Sequence, residues 1–115
     1  MPGEIECHEI ERGFRCVLSG ELDLASEEAV AAELTRRLAE NPALLIVDLS
    51  GLEFIDSTGL RVLLTARNTA GTNGTQLLLT TPPPAIQRVF DVANVTEHFE
   101  YTDAVADRNG DRKQS

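Results

Sequence analysis

The hydroxyl group best placed for chemistry in the sequence is that of Ser57, which lies between Asp56 and Thr58 at a predicted helix start. The first backbone N–H groups of a helix lack partners within the helix, and with the helix dipole they favour a nearby anion. A phosphate on Ser57 would add a charge of about −1.5 to −2, and the helix end would offset the local repulsion by about 0.3 to 2 kcal/mol. We therefore expect phosphorylation of Ser57 to change what the surface binds without unfolding the domain. Local chemistry leaves a second interpretation open, in which these residues only cap the helix.

Patterns typical of catalysis and of metal binding are missing from the sequence. It has no Gly-x-x-x-x-Gly-Lys-Ser/Thr loop for nucleotide phosphates and no Gly-x-Ser-x-Gly nucleophile elbow. His8 and His98 are far apart, and neither has a partner at metal-ligand spacing. These absences argue against an enzyme or a nucleotide-binding protein, so we expect no catalytic activity, no metal and no cofactor.

The composition limits the class of partner. The 115 residues carry a formal net charge of −9, which would repel nucleic acid and suits a basic protein partner. The longest apolar run, Leu44 to Val47, is far shorter than the roughly 20 residues of a membrane span. The first residues lack the basic and apolar regions of a signal peptide. We therefore expect a cytoplasmic protein that binds neither nucleic acid nor membrane.

The first part of the sequence predicts a hairpin and a helix. Ile5 to Ile10 and Phe14 to Gly20 alternate apolar and polar residues, which predicts two antiparallel strands. Residues Glu21 to Leu24 are interpreted as a loop. Ser26 suits an N-cap, and apolar residues at four-residue spacing predict a helix from about Glu27 to Glu40.

The second part predicts further strands alternating with helices. Leu44 to Val47 is apolar throughout, which predicts a central strand, and Ser50 to Ile55 is interpreted as a connection. Thr75 to Thr80 repeats the strand pattern. Ala85 to Ala93 predicts an amphipathic helix, and Thr96 to Tyr101 predicts a short edge strand.

Between these strands a second helix is predicted to begin near Thr58. Its polar positions Arg61, Thr65 and Asn68 recur at three- and four-residue steps and therefore share one side. We interpret this side as a candidate docking surface, with an ordinary solvated helix face as the alternative. The opposite, buried side is predicted to contain Leu60, Leu63, Leu64 and Ala70.

This order of elements predicts a single α/β domain over residues 1–106, with a mixed sheet of four to five strands. An N-terminal antiparallel hairpin leads into right-handed β-α units, and residues 107–115 are predicted to be a disordered tail. In such sheets function collects where strands end and helices begin. Asp23 and Ser57 both lie at junctions of this kind, so they are predicted to be close together.

The two cysteines, Cys7 and Cys16, flank the predicted hairpin turn. Strand pairing around that turn allows them to lie opposite each other in the predicted hairpin. Both lie in alternating apolar patterns, so we interpret them as core thiols rather than as a redox or metal site.

Several spaced segments together resemble the STAS family, named for sulfate transporters and anti-sigma factor antagonists. The resemblance covers about residues 5 to 100. It lies in the Gly-Glu-Leu-Asp turn ending at Asp23, in Leu45 to Leu49, in Phe54 to Leu60, in the Gly74 turn and in the Ile86 to Asn94 helix. The length of the chain resembles that of the stand-alone anti-sigma factor antagonists in this family.

The resemblance implies a partner-switching cycle in transcription regulation and stress response. Unphosphorylated antagonist would bind an anti-sigma factor and free a sigma factor. The anti-sigma factor would also be a serine kinase that uses ATP and Mg²⁺ to phosphorylate the antagonist and release it. A serine phosphatase would reset the switch.

The family pattern assigns roles to particular positions. The phosphorylated serine falls on Ser57, and Asp23 matches an acidic loop residue beside that site. The residues predicted to contact the partner are Asp23, Asp56, Thr58, Gly59, Leu60, Arg61, Thr65 and Asn68. An alternative within the same family is an adaptor or scaffold subunit of a stress-signalling or lipid-transport complex.

Overall fold

A five-stranded mixed sheet and three helices make up residues 1–103, the part of the chain that the computed structural model describes. The elements are β1 (Glu4–Ile10), β2 (Gly13–Leu22), α1 (Glu27–Leu38), β3 (Leu44–Ile55), α2 (Ser57–Asn73), β4 (Gln76–Thr80), α3 (Pro84–Val92), a 3-10 turn (Thr96–His98) and β5 (Glu100–Thr102). The strands lie in the order β1-β2-β3-β4-β5. β1 is antiparallel to β2, and the other neighbouring strands are parallel. The predicted α/β domain with an N-terminal hairpin is confirmed.

One hydrophobic core joins all three helices to the same face of the sheet. Val47 and Leu49 of β3 share it with Leu34 of α1, Leu63 of α2 and Phe90 of α3. Because side chains alternate across a strand, the residues between those of the core point away from the helices. The helices therefore cover one face, and their starts all lie at the carboxyl ends of the parallel strands.

Two strands are longer than the sequence pattern predicted, and both corrections concern the edge that leads into the helices. The segment Glu21 to Leu24 was expected to be a loop, but β2 continues to Leu22; Ser50 to Ile55 was expected to be a connection, but β3 continues to Ile55. The register between these strands shifts twice, between Val17 and Ser19 and again after Gly20. Such bulges break the two-residue alternation on which strand prediction depends.

The helices begin and end within two residues of their predicted positions. The first ends at Leu38 rather than Glu40, and the second begins at Ser57, one residue before the expected position. Gly74 ends α2 in the left-handed conformation, at φ 76°, which glycine adopts without the steric penalty of a side chain. The predicted edge strand over Thr96 to Tyr101 is in fact a 3-10 turn followed by β5.

Cys7 and Cys16 form a disulfide, which corrects their interpretation as core thiols. The two residues are direct partners in the register of β1 and β2, an arrangement that the predicted hairpin allowed. Cys16 is fully buried and Cys7 is partly buried. The apolar alternation indicated that both side chains face inward, but it contains no information on the bonding state of the sulfurs.

A polar network fixes β2, β3 and β4 relative to one another on the face away from the helices. Asp48 of β3 is buried and pairs with Arg15 of β2, while the hydroxyl of Thr80 in β4 donates to the Asp48 carboxylate at 3.3 Å. The hydroxyl of Ser50 donates to the same carboxylate at 2.7 Å. Burial alone would raise the pKa of Asp48, but the hydrogen bonds from Ser50, the charge of Arg15 and the bond from Thr80 outweigh it and hold that pKa below its ordinary value.

None of the helices within residues 1–103 has the length and apolar character needed to cross a membrane. The predicted domain boundary at residue 106 and the predicted disordered tail, residues 107–115, lie outside the described residues.

Candidate functional site

β2 and β3 end side by side, and the segments that leave them carry the residues singled out in the sequence. Leu22 and Ile55, the last residues of the two strands, are direct partners. The backbone N–H of Asp56 then donates to the carbonyl of Leu22 at 3.4 Å. Asp23 and Ser57 therefore lie at the same edge of the sheet, as the topology predicted. We call residues 21–24 and 53–58 together the Ser57 edge.

Asp56 caps the second helix, so the adjacent Ser57 is not needed as the capping residue. Its backbone is extended, and its carboxylate Oδ1 accepts from the N–H of Gly59 at 3.0 Å. Ser57 is the first residue of α2 and is exposed. Within residues 1–103 its hydroxyl has no hydrogen-bond partner. The capping role therefore falls on Asp56, and Ser57 stands at the exposed surface.

Gly59 allows the start of α2 to pack directly on the ends of the strands. A Cβ atom at this position would lie 2.5 Å from the carbonyl oxygen of Leu22 and 2.7 Å from Cγ1 of Ile55. Because the first of these atoms belongs to the backbone, it has no rotamer by which to move away. The close approach thus fixes the helix start, and with it the position of Ser57.

Asp23 organises the turn that enters α1. Its carboxylate Oδ1 accepts from the backbone N–H of Ala25 at 3.1 Å and from that of Ser26 at 3.3 Å. Ser26 occupies the predicted N-cap position, but its side chain makes no capping bond. The Ser26 hydroxyl instead donates to the carbonyl of Glu21 at 2.8 Å, and the side chain is buried. Asp23 therefore has a structural role in the turn, whatever it contributes to binding.

Six of the eight residues predicted to contact a partner are exposed or partly exposed, and two are buried. Arg61, Thr65 and Asn68 are exposed along α2, and Arg61 and Thr65 line a groove between α1 and α2. Gly59 and Leu60 are buried. Both pack beneath the helix start, as the apolar pattern predicted for Leu60, and their contact with a partner stays a prediction.

The sequence matches the model of the STAS domain over residues 5–108. The chain belongs to the STAS family. Its resemblance to that family, first seen in a few spaced segments, is thereby confirmed over most of its length.

Individual relatives are consistent with this assignment. Over 46 residues the STAS domain is 39% identical to the anti-sigma-F factor antagonist RsfB of Mycobacterium tuberculosis, and this match covers 40% of the chain but only 38% of RsfB. An anti-sigma factor antagonist from Mycobacterium paratuberculosis has the same fold, with a TM-score of 0.82 at 21% identity over 96% of this chain and 95% of the other.

The Bacillus cell fate determinant SpoIIAA has the same fold in both of its solved forms. Its unphosphorylated form gives a TM-score of 0.76 at 21% identity, covering 96% of each chain. Its phosphorylated form gives 0.69 at 18% identity, covering 92% of this chain and 97% of the other. At these identities the structures establish the fold of the STAS domain.

Two apolar residues of the Ser57 edge were missed in the sequence. Leu24 and Phe54 are among the large apolar side chains that the described residues expose. Phe54 directly precedes the buried Ile55, so strand alternation places it on the opposite face. Because this segment was interpreted as a connection, strand alternation was not applied to it. That alternation is the signal that separates the exposed Phe54 from the buried Ile55.

Within residues 1–103 no group of three or more His, Cys, Asp or Glu side chains is arranged to hold a metal ion. The electrostatic character of the Ser57 edge comes instead from four acidic residues, Glu21, Asp23, Glu53 and Asp56.

Proposed function

We propose that this STAS domain is an anti-sigma factor antagonist controlled by phosphorylation of Ser57. Unphosphorylated, it binds an anti-sigma factor in the cytoplasm and so frees a sigma factor. The anti-sigma factor is also the serine kinase, uses ATP and Mg²⁺, and releases the domain by phosphorylating it; a serine phosphatase restores the first state. The domain itself is a binding module without an active site.

The observation that carries this proposal is the exposure of Ser57 at the first position of a rigidly held helix. A kinase must bring the serine oxygen to its own ATP, so the oxygen must be accessible. Asp56 and Gly59 hold the helix start through the cap and the close packing described above. The names of RsfB and the two forms of SpoIIAA give independent support.

The same geometry explains how a phosphate could act as a switch. The N-terminal N–H groups of α2 favour the new anion, so the fold tolerates it. A partner that closes over Ser57 would instead have to remove water from a dianion beside the carboxylates of Asp56 and Asp23. Burying an unpaired or like-charged group at an interface costs several kcal/mol. Since each 1.4 kcal/mol is a factor of ten in affinity, a loss of two to three orders of magnitude is within reach.

The proposed contact surface surrounds the serine. It contains the exposed or partly exposed residues of the predicted set: Asp23, Asp56, Thr58, Arg61, Thr65 and Asn68. Gly59 and Leu60 support this surface from below. Arg61 is the nearest basic side chain along α2, and it would pair with an acidic group of the partner.

The test is to measure the affinity of the native host's anti-sigma factor kinase for the domain before and after reaction with ATP and Mg²⁺. We expect one phosphate on Ser57 and a loss of affinity of about a hundredfold or more, because about 3 kcal/mol of desolvation is added. The measurement combines site mapping by mass spectrometry with binding by calorimetry.

Two variants control this experiment. Ser57→Ala should bind the kinase but receive no phosphate, whereas Thr58→Ala should still receive one phosphate on Ser57, whatever it loses in binding. Phosphate that persists in Ser57→Ala, or equal affinity in the two states, would contradict the proposal. Co-purification from native cells with transporter or scaffold subunits, in place of a kinase, would favour the adaptor alternative.

A further inference from the structure

Two of the large apolar side chains exposed within residues 1–103 lie at the Ser57 edge. Leu24 is 74% exposed and Phe54 is 47% exposed. Neither belongs to the set of buried or partly buried residues that form the core. Their apolar area therefore contributes little to the stability of the fold, and a polar residue at either position would leave the core intact.

Backbone pairing places these two residues at the same edge of the sheet as the serine. Phe54 is paired with Glu21 in the register of β2 and β3, and Leu24 follows two residues after the last pair, Leu22 and Ile55. Ser57 also follows two residues after that pair. Neighbouring strands are about 4.8 Å apart, so Leu24 and Ser57 leave the sheet on adjacent paths, with Phe54 three residues before the serine.

The surroundings of the two apolar residues are acidic. Each stands next to a carboxylate in sequence: Leu24 follows Asp23, and Phe54 follows Glu53. Protein interfaces commonly combine an apolar, charge-depleted centre with a polar rim, and a few anchors supply most of the binding energy. A surface with apolar anchors and an acidic rim is complementary to an apolar pocket bordered by lysine or arginine.

We propose that Leu24 and Phe54 are the apolar anchors by which the kinase holds the domain at the sheet edge that carries Ser57. This inference rests on the proposed function and specifies its partner: the kinase carries an apolar pocket with a basic rim beside its ATP site. The anchors bind the partner and position the serine oxygen; the acidic rim accelerates the encounter.

The test compares variants of the full chain in binding to the purified native-host kinase that phosphorylates Ser57. Leu24→Ser and Phe54→Thr should each weaken binding about tenfold to thirtyfold, mainly through faster dissociation, because truncated anchors act on the bound state. Asp23→Asn keeps the oxygen that organises its turn and removes a rim charge. It should mainly slow association, and this effect should shrink as salt is raised.

Matched controls separate the anchors from general apolar exposure. Val92→Thr changes a residue that is 78% exposed on α3, and its kinetics should equal those of the wild type. Leu24→Met preserves apolar area and should retain near wild-type binding. Equal thermal midpoints for all variants would show that the exposed positions do not affect folding.

Different results would overturn the anchor proposal alone and the proposed function with it. Wild-type dissociation rates in Leu24→Ser or Phe54→Thr, with Ser57 still phosphorylated, would overturn the anchors and leave the proposed function standing. Failure of every native-host kinase to phosphorylate Ser57 would overturn both. A wild-type homodimer that both anchor variants disrupt would assign the surface to a second copy of the chain and would also overturn the inference.

Discussion

Ser26 and Ser57 occupy the starts of two consecutive helices, and their hydroxyl groups have opposite surroundings. The Ser26 hydroxyl is buried and donates to the carbonyl of Glu21, while the backbone N–H of Asp23 donates to it at 3.1 Å. The Ser57 hydroxyl is exposed, because the neighbouring Asp56 caps the helix in its place. A serine at a helix start can therefore be part of the scaffold or stand unpaired at the surface, and its neighbours decide which.

The difference between the two serines depends on a rigid start to α2. The substitution with the largest expected effect would disturb this helix start. Gly59→Ala should destabilise the domain by about 1 to 3 kcal/mol, because its Cβ would lie 2.5 Å from the Leu22 carbonyl. The free energy of unfolding from urea titration checks this prediction. The matched control is Gly71→Ala in the same helix, where a Cβ would meet nothing within 4 Å. It should leave stability unchanged or raise it by up to about 1 kcal/mol. Equal losses in both variants would show that the close approach at Gly59 is unimportant.

A smaller effect compares the two serines directly. Ser26→Ala should lower the free energy of unfolding by about 1 to 2 kcal/mol, since it leaves partly buried groups of Glu21 and Asp23 without a partner. Ser57→Ala should change it by less than about 0.5 kcal/mol, as expected for an exposed side chain. Parallel denaturant titrations of both variants provide the measurement. A loss at Ser57 as large as that at Ser26 would contradict the assignment of the two roles.

The sequence predicted the order of the strands and helices better than it predicted where the strands end. The order of strands and helices, the hairpin and the shared edge of Asp23 and Ser57 followed from apolar periodicity and from the connection rules of parallel sheets. The long ends of β2 and β3 did not, because the bulges near Gly20 interrupt the alternation. The exposed face of Phe54 was missed because its segment was interpreted as a connection and not as the end of a strand.

The remaining differences concern contacts that no local pattern encodes. Ser26 and Asp56 are both good capping residues by type, and only the folded chain determines that Asp56 alone uses its side chain for this purpose. The disulfide between Cys7 and Cys16 likewise depends on the register of two strands. Gly59 shares a motif with the exposed serine, and only the folded chain shows that it packs against the Leu22 carbonyl and Ile55.

The most direct test of the central claim is to phosphorylate the domain completely with its kinase, map the modified residue and measure the free energy of unfolding. Our account predicts a single phosphate on Ser57, none on Ser26, and a change in stability of less than about 0.5 kcal/mol, because the helix end accommodates the charge. A phosphate at another residue, or a loss of more than about 2 kcal/mol on modification of Ser57, which is a large share of the stability of a small domain, would contradict it.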